Sequence, residues 1–288
     1  MKSVFEKIVV IGSGKMAHCC AKIVREKCDA KVMVISYKPQ VESGLQILCE
    51  KSSIPYKSYQ ESYLLDEALM KLEEKTLIIS AFNIYIFPKN LVRKNFITII
   101  NYHPALLPKH PGRNAEAWTI FEQDGMTGVT WHKVTEKIDD GDILIQKEIA
   151  LNEQMTSLKL MIIQQKIALE AFQEIVEQLL LDKVSVYKQT KMMSKVHYAR
   201  EIPNDGILNT HWNMEKISAF LRAMDYGKLN ILGRPIIMLE GISYTWVSYR
   251  IINEIDEKKA VMKDTCCIKK ENLILVLCGM YRYERRNE

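Results

Sequence analysis

The sequence predicts an α/β fold with a mostly parallel sheet, followed by a small, mostly β C-terminal domain. Short apolar runs rich in β-branched residues alternate with segments of helical period through the first part of the chain. The runs are apolar enough to be strands that helices cover. Beyond about residue 205, one helix is followed by short strand-like runs between charged turns.

Strand and helix alternate in the N-terminal third of the chain. EKIVVIGSG (6–14) is a β-branched run containing glycine, and KMAHCCAKIVREKC (15–28) then carries apolar residues at helical spacing. The same criteria give three further strands and two further helices: AKVMVIS (30–36), TLIISAF (76–82) and FITIINYH (96–103) as strands, LQILCEKSS (45–53) and EALMKLEEK (67–75) as helices.

Four more elements follow before the pattern changes. They are a helix at 113–125, strands GVTWHKV (128–134) and ILIQKEIAL (143–151), and a long helix at 157–181. The long helix has a wide apolar stripe, which is enough to close a domain.

The predicted domains are 1–183, a linker at 184–205, and a small β-rich domain at 206–288. The linker is polar and weakly periodic. In the second domain, residues 214–224 read as a helix, and strand-like runs lie within 234–251 and at 272–278.

The composition, 48% hydrophobic and 26% charged, indicates an ordinary soluble globular protein. No apolar stretch approaches the roughly 20 residues that span a bilayer, so we expect a cytoplasmic protein without a membrane partner. The seven cysteines are odd in number and lack C-x-x-C spacing, which predicts neither disulfides nor a metal site. The net charge of +5 suits an anionic ligand but is too mild to argue for nucleic acid.

The segment GSGKMA (12–17) lies between a strand and a helix and fits the dinucleotide fingerprint of a Rossmann-like fold. A NAD site also needs an acid at the end of the second strand, where this chain has Ser36-Tyr37-Lys38, so only NADP stays open, through Lys38. Ser13, Gly14 and Lys15 could instead hold another anion at the helix N-terminus. The glycines could equally serve only the tight turn.

Two polar side chains mark the end of the strand FITIINYH. Asn101 and His103 point to the same face, because side chains alternate along a strand, and Pro104 cannot continue a central strand. They therefore lie at the carboxyl edge of the sheet, where open α/β sheets bind ligands. A histidine there can exchange protons near neutral pH, and an asparagine amide can donate to an oxyanion.

An acidic turn follows the strand GVTWHKV. EKIDDGDI places Asp139, Asp140 and Asp142 around Gly141, and one of these carboxylates could reach the imidazole of His103 and fix its tautomer. His132, on the preceding strand, is a candidate for the same cleft. From the residues alone, a structural histidine and a solvated acidic turn stay open as alternatives.

These motifs resemble the folate-dependent formyltransferases, whose members act on a ribonucleotide, on methionyl-tRNA and on nucleotide-linked amino sugars. The chain has Asn101-x-His103, the loop Leu106-Leu107-Pro108-x-x-x-Gly112, the strand Gly128-x-Thr130-x-His132-x-Val134, and Asp139-x-Gly141. The order and spacing agree with the family over about residues 5–180. The resemblance implies a Rossmann-like formyltransferase domain with a small C-terminal domain.

The resemblance also implies roles. Asn101, His103 and Asp139 would be catalytic, with Asp139 preferred to Asp140 because it precedes x-Gly. The donor would be 10-formyltetrahydrofolate and the acceptor a primary amine, with no metal. The folate would contact Phe82, Ile84, Tyr85, Ile86, Leu106, Leu107, Pro108 and Asp139, and the substrate Ser13, Gly14, Lys15, Gly112, Asn114 and His132.

The acceptor depends on the second domain. There the sequence MDYGKLNILG (224–233) departs from the tRNA and amino-sugar enzymes and is similar to formylation domains of nonribosomal peptide synthetases. We expect a nucleotide-linked amino sugar or an aminoacyl group tethered to a carrier protein, and rank methionyl-tRNA below both. Formyltetrahydrofolate hydrolase and a NAD(P)-dependent oxidoreductase are the remaining alternatives.

Overall fold

The computed structural model describes residues 1–39, 44–190, 194–255 and 264–284, which divide into two compact units. The first unit comprises Met1–Arg113, Met126–Ala150 and Ile162–Val196, and the second Asn114–Gly125, Leu151–Met161 and His197–Glu288. Each unit thus draws on three segments, whereas the predicted domains are continuous. The boundaries at 183 and 206 stay a prediction about independently folding domains.

The first unit is built on a seven-stranded sheet with the strand order β3-β2-β1-β4-β5-β6-β7. The strands are β1 (Lys7–Gly12), β2 (Lys31–Tyr37), β3 (Tyr56–Tyr59), β4 (Thr76–Ala81), β5 (Ile97–His103), β6 (Met126–Lys133) and β7 (Ile143–Ala150). The first five strands in this order, β3, β2, β1, β4 and β5, pair in parallel. Strand β6 pairs antiparallel with both β5 and β7. The predicted mostly parallel α/β sheet is confirmed.

The helices agree with most of the predicted ones. They are α1 (Gly14–Lys27), α2 (Gly44–Lys51), α3 (Ser62–Met70), α4 (Lys89–Val92), α5 (Ala115–Phe121), α6 (Ser157–Leu180) and α7 (Met214–Ala223). Among the described residues, none of these helices is both long enough and apolar enough to cross a bilayer.

In the first unit, two elements were missed and one was misplaced. Strand β3 reads YKSY, which has no apolar run because it is an edge strand, and α4 is a single turn. The helix predicted at 67–75 begins instead at Ser62 and ends at Met70. The Lys94 ammonium donates to the carbonyl oxygens of Met70 at 2.6 Å and Leu72 at 3.3 Å, so these backbone groups are satisfied without a further helical turn.

The middle of the sheet aligns the strand ends that matter for function. Asn101 on β5 lies opposite Ser80 on β4 and His132 on β6, and His103 lies opposite Thr130. On the other face of β6, Trp131 is fully buried and its indole N–H donates to the carbonyl oxygen of Ala168 in α6, at 2.8 Å. The alternation of β6 therefore sends Trp131 into the core and Thr130 and His132 to the opposite face.

The second unit combines helices with two small antiparallel sheets. Their orders are β10-β12-β11 and β13-β9-β8, formed by β8 (Ile237–Leu239), β9 (Ile242–Thr245), β10 (Ser248–Asn253), β11 (Thr265–Lys270), β12 (Leu273–Cys278) and β13 (Tyr281–Arg282). Helices α5 and α7 pack together, and the Tyr226 hydroxyl donates to the buried Glu116 carboxylate at 2.9 Å. The predicted mostly β character of this part is confirmed, although β11 was not predicted.

Gly12 shows why the fingerprint loop contains glycine. A Cβ atom there would lie 1.9 Å from the carbonyl oxygen of Ala81, its partner on the adjacent strand β4. The close approach of β1 and β4 therefore requires glycine, whatever the loop binds. Gly14 has a φ of +56°, which a glycine adopts without strain.

We predict that Gly12→Ala lowers the free energy of unfolding by about 2 kcal/mol or more, because the strands must separate to admit the methyl group. Urea denaturation measures this. Gly44→Ala is the matched control, since a Cβ at Gly44 meets nothing within 4 Å. Equal stability of the two variants would contradict the packing explanation.

Candidate active site

Asn101 and His103 end strand β5 side by side on one face. His103 is buried, and Asn101 is partly exposed. Tyr102 points to the opposite face, where its ring lies 5.9 Å from that of Trp131. The strand thus directs an amide and an imidazole to one place at the carboxyl edge of the sheet.

The Asp139 carboxylate connects the residues of this site. Its Oδ2 atom lies 3.3 Å from His103 Nδ1 and accepts a hydrogen bond from the Gly112 amide at 2.7 Å. Its Oδ1 atom lies 3.3 Å from His132 Nε2 and 3.5 Å from Asn101 Nδ2. Only 12% of the Asp139 side chain is exposed. The three predicted catalytic residues, with His132 and Gly112, therefore form one cluster.

The charges in the cluster favour an ionised Asp139. Burial would raise the pKa of this carboxyl, but His103, His132 and the Gly112 amide outweigh burial and hold the pKa well below its usual value. For His103, burial lowers the pKa below its usual value, and the charge of Asp139 opposes that effect. The charge of each group therefore depends on the other: protonated His103 stabilises the Asp139 carboxylate, and the carboxylate in turn favours protonation of His103.

The tautomer of His103 follows from its other nitrogen. Nε2 lies 2.9 Å from the backbone carbonyl oxygen of His110, so the proton of a neutral ring resides on Nε2. Nδ1 is then unprotonated and lies beside the Asp139 carboxylate. This geometry makes Nδ1 a proton acceptor, because Asp139 stabilises the imidazolium that forms. His110, in the variable part of the loop, contributes its backbone to this arrangement.

The acidic turn separates the three aspartates by environment. Asp139 is buried in the cluster with a φ of +48°, whereas Asp140 is exposed and lies 3.5 Å from Lys137. A Cβ atom at Gly141 would lie 1.8 Å from the carbonyl oxygen of Lys133. Asp-x-Gly is thus the spacing this turn needs, and it directs Asp139, not Asp140, into the cluster.

The loop after β5 is held by the side chain of Thr130. Its hydroxyl donates to the carbonyl oxygen of Ala105 at 2.6 Å and accepts from the Leu107 amide at 3.2 Å. The Gln146 side chain donates to the Thr130 hydroxyl and to the carbonyl oxygen of Leu107, both at 2.9 Å. These bonds fix the backbone of the Leu106-Leu107-Pro108 segment.

Gln164 on α6 completes the support of the loop. Its side chain is fully buried and donates to the carbonyl oxygens of Pro104, at 2.7 Å, and Gly128, at 3.1 Å. Gln164 and Gln146 were not predicted as site residues. Each is a polar residue within an apolar run, LMIIQQKIAL and ILIQKEIAL, and that exception was the available signal.

We predict that Thr130→Val lowers the free energy of unfolding by about 2 to 3 kcal/mol, because the buried groups that the hydroxyl serves lose their partner. Thr130→Ser, which keeps the hydroxyl, should stay within about 1 kcal/mol of the wild type. Urea denaturation with matched m-values checks both. A valine variant as stable as the serine variant would contradict this role of the hydroxyl.

The segment predicted to bind folate is a tight turn after β4. Phe82 has a φ of +58°, and the Asn83 side chain accepts from the Tyr85 amide at 3.0 Å and donates to the Tyr85 carbonyl oxygen at 3.2 Å. Tyr85 itself points inward, 6% exposed, with its hydroxyl donating to Asp66. Ile84 and Ile86 are 48% and 76% exposed, so they and the backbone form the accessible surface.

Of the remaining predicted substrate residues, three follow another strand and one belongs to the second unit. Ser13, Gly14 and Lys15 follow β1, two strands from β5 in the sheet order, and the Ser13 side chain makes no capping hydrogen bond to α1. Asn114 belongs to the second unit, where it precedes α5 with a φ of +57°. His132 and Gly112 are the two whose contacts place them against Asp139.

Residues of the predicted linker contribute to the site. The Gln189 side chain donates to the carbonyl oxygens of Asp139 at 2.7 Å and Gly141 at 2.8 Å. The Tyr187 backbone exchanges hydrogen bonds of 2.8 and 3.0 Å with Ile143. This contact has no local sequence signal, since a glutamine in a polar segment is ordinary.

We predict that Gln189→Ala destabilises the protein by about 1 to 2 kcal/mol, because two carbonyl oxygens lose a shared donor. Gln189→Glu should cost more, since a carboxylate would face both oxygens. Thermal and urea unfolding provide the measurement. The neighbouring Lys188 is exposed, so Lys188→Ala should change stability by no more than about 0.5 kcal/mol; a similar loss there would show that the segment, not the glutamine, matters.

The cluster at the carboxyl edge of the sheet is built from the Asn-x-His and Asp-x-Gly motifs that predicted the class of protein. Residues 6–177 match the family described as formyl transferase, and the chain belongs to that family. The predicted resemblance is thereby confirmed.

Two curated relatives are formyltransferases with different acceptors in their names. The chain is 35% identical over 126 residues to the GDP-perosamine N-formyltransferase of Brucella melitensis, which covers 43% of this chain and 47% of that enzyme. It is 26% identical over 186 residues to the methionyl-tRNA formyltransferase of Thermodesulfovibrio yellowstonii, covering 64% and 57%. The chain thus spans about half the length of the curated relatives it matches.

Among solved structures, the N-formyltransferase of Helicobacter canadensis in complex with folinic acid and dTDP-3-aminofucose shares the fold. The TM-score is 0.71 at 16% sequence identity, over 96% of this chain and 100% of that one. The fold of the described residues is therefore that of a formyltransferase.

Proposed function

We propose that this protein transfers a formyl group from 10-formyltetrahydrofolate to the primary amine of a nucleotide-linked amino sugar. The proposal rests on one observation: Asn101 and His103 both lie beside the Asp139 carboxylate. Amine formylation needs a donor for a developing oxyanion and an acceptor for the amine proton in the same place. The cluster offers both.

The residues around the cluster suit a folate. A pterin ring has apolar faces and a polar edge, and the turn after β4 offers exposed Ile84 and Ile86 beside backbone amide and carbonyl groups. The rigid segment of Leu106, Leu107 and Pro108 supplies a second apolar surface, with Leu106 and Pro108 partly exposed. The folate would supply an activated formyl group and depart as the leaving group.

Each residue of the cluster has its own role in this reaction. The Asn101 amide donates to the formyl oxygen as negative charge develops there, which contributes on the order of 3 kcal/mol to the barrier reduction. His103 Nδ1 accepts the proton from the attacking amine, directly or through water. Asp139 stabilises the resulting imidazolium and is itself held ionised by the Gly112 amide.

Two relatives support a nucleotide sugar as the acceptor. Their names specify GDP-perosamine and dTDP-3-aminofucose, and the enzyme acting on GDP-perosamine shares the higher sequence identity reported above. Methionyl-tRNA and a carrier-tethered amine stay secondary predictions, as does the cytoplasmic location. A NAD(P) site has less support, because the packing of β1 against β4 already requires Gly12.

A donor-consumption assay tests the proposal. Purified protein is incubated with 10-formyltetrahydrofolate and a panel of nucleotide amino sugars, aminoacyl carrier proteins and methionyl-tRNA, and formylated product is detected by mass spectrometry. Product from an amino sugar is expected. Folate release without any formylated amine would indicate a hydrolase, and product from methionyl-tRNA alone would replace the acceptor assignment.

We predict that Asp139→Asn lowers kcat at least about a hundredfold, because the imidazolium of His103 loses its stabilising charge. The neighbouring variant Asp140→Asn is the matched control, since Asp140 is exposed and contacts Lys137 only across the surface. The two variants differ by one position and make the same chemical change. Comparable activity losses would contradict the assignment of Asp139.

A further inference from the structure

We propose that His132 is a positioning residue that sets which end of the Asn101 carboxamide faces the formyl group. The inference rests on the proposed formyl transfer. The sequence resemblance assigned His132 to substrate binding, but its contacts point to Asn101. His132 is 1% exposed, and both of its ring nitrogens have partners within the protein.

The hydrogen-bond partner of one ring nitrogen fixes the tautomer of His132. Its Nδ1 atom lies 2.9 Å from the carbonyl oxygen of Lys133, which can only accept, so the proton of a neutral ring resides on Nδ1. Nε2 is then an acceptor, and the Asn101 amide nitrogen, 3.1 Å away, donates to it. Because an amide oxygen could not donate to this lone pair, the tautomer selects the NH2 end of the carboxamide.

The geometry leaves one amide hydrogen for the reaction. Asn101 Nδ2, His132 Nε2 and Asp139 Oδ1 form a nearly equilateral triangle with sides of 3.1, 3.3 and 3.5 Å. Both acceptors therefore lie on the same side of the amide nitrogen, within the angle that one N–H group can serve. The two N–H bonds of a planar amide diverge by about 120°, so the second N–H group points away from both acceptors and is left for the formyl oxygen.

Strand pairing and a β-bulge place the His132 side chain beside Asn101. Asn101 and His132 are directly opposite on β5 and β6, and the pairing of β6 with β7 shifts register between Trp131 and His132. Such bulges re-aim a side chain and occur next to active sites. Without an acceptor at Nε2, only the longer 3.5 Å contact with Asp139 Oδ1 holds the NH2 end, so the carboxamide turns over more readily and presents its oxygen to the formyl oxygen.

The test compares His132→Leu, which removes the acceptor, with His132→Gln, whose side-chain oxygen can replace it. Leucine should lower kcat about tenfold to a hundredfold, up to the loss caused by Asn101→Ala, with KM for folate and amine unchanged. Glutamine should recover most of kcat. A loss confined to KM, or equal loss in both variants, would overturn the proposal.

A double-mutant cycle separates positioning from an independent role. If His132 acts through Asn101, His132→Leu should have little further effect in the Asn101→Ala background. Additive losses would overturn the proposal. Thermal unfolding of each variant shows whether it is folded under assay conditions.

A readout independent of activity is nitrogen-15 NMR of the wild-type histidines. The Nδ1–H tautomer of His132 and a slowly exchanging Asn101 side-chain amide are expected, and an Nε2–H tautomer would overturn the proposal. This measurement holds even if His132→Leu fails to fold. It also separates the two proposals: a wild type that formylates no amine refutes formyl transfer, whereas the NMR result tests the Asn101–His132 contact alone.

Discussion

The buried carboxylate of Asp139 is the interaction on which the site depends. Removing a carboxylate from water costs several kcal/mol, and partners must offset that cost. Here the Gly112 amide, His103, His132 and the Asn101 amide surround it. The partners come from three stretches of backbone, β5, β6 and the proline-rich loop, so one charge fixes these three relative to the acidic turn that carries Asp139.

The arrangement around Asp139 is itself held by glutamines and a threonine. Thr130, Gln146 and Gln164 bind the loop after β5, and Gln189 binds the turn that carries Asp139. All four side chains form hydrogen bonds with backbone atoms, and none of them is charged.

Sequence reasoning reached the core of the site because its signals are local. Strand alternation places Asn101 and His103 together, and Asp-x-Gly selects Asp139, since Gly141 is needed where the backbone approaches Lys133. Gln189 could not be predicted, because its role depends on a contact between segments far apart in the chain. Strand β3 was not predicted because YKSY has no apolar periodicity. The inward orientation of Tyr85 was also not predicted, since its neighbours Ile84 and Ile86 are exposed.

The division of the chain into interleaved segments also bears on how such a protein can diversify. Helix α5 lies before β6 in the sequence, yet it packs with α7, far downstream. A crossover between two genes near residue 183 would therefore inherit α5 from one parent and α7 from the other. The second unit is therefore more open to change by gradual substitution than by exchange of whole domains.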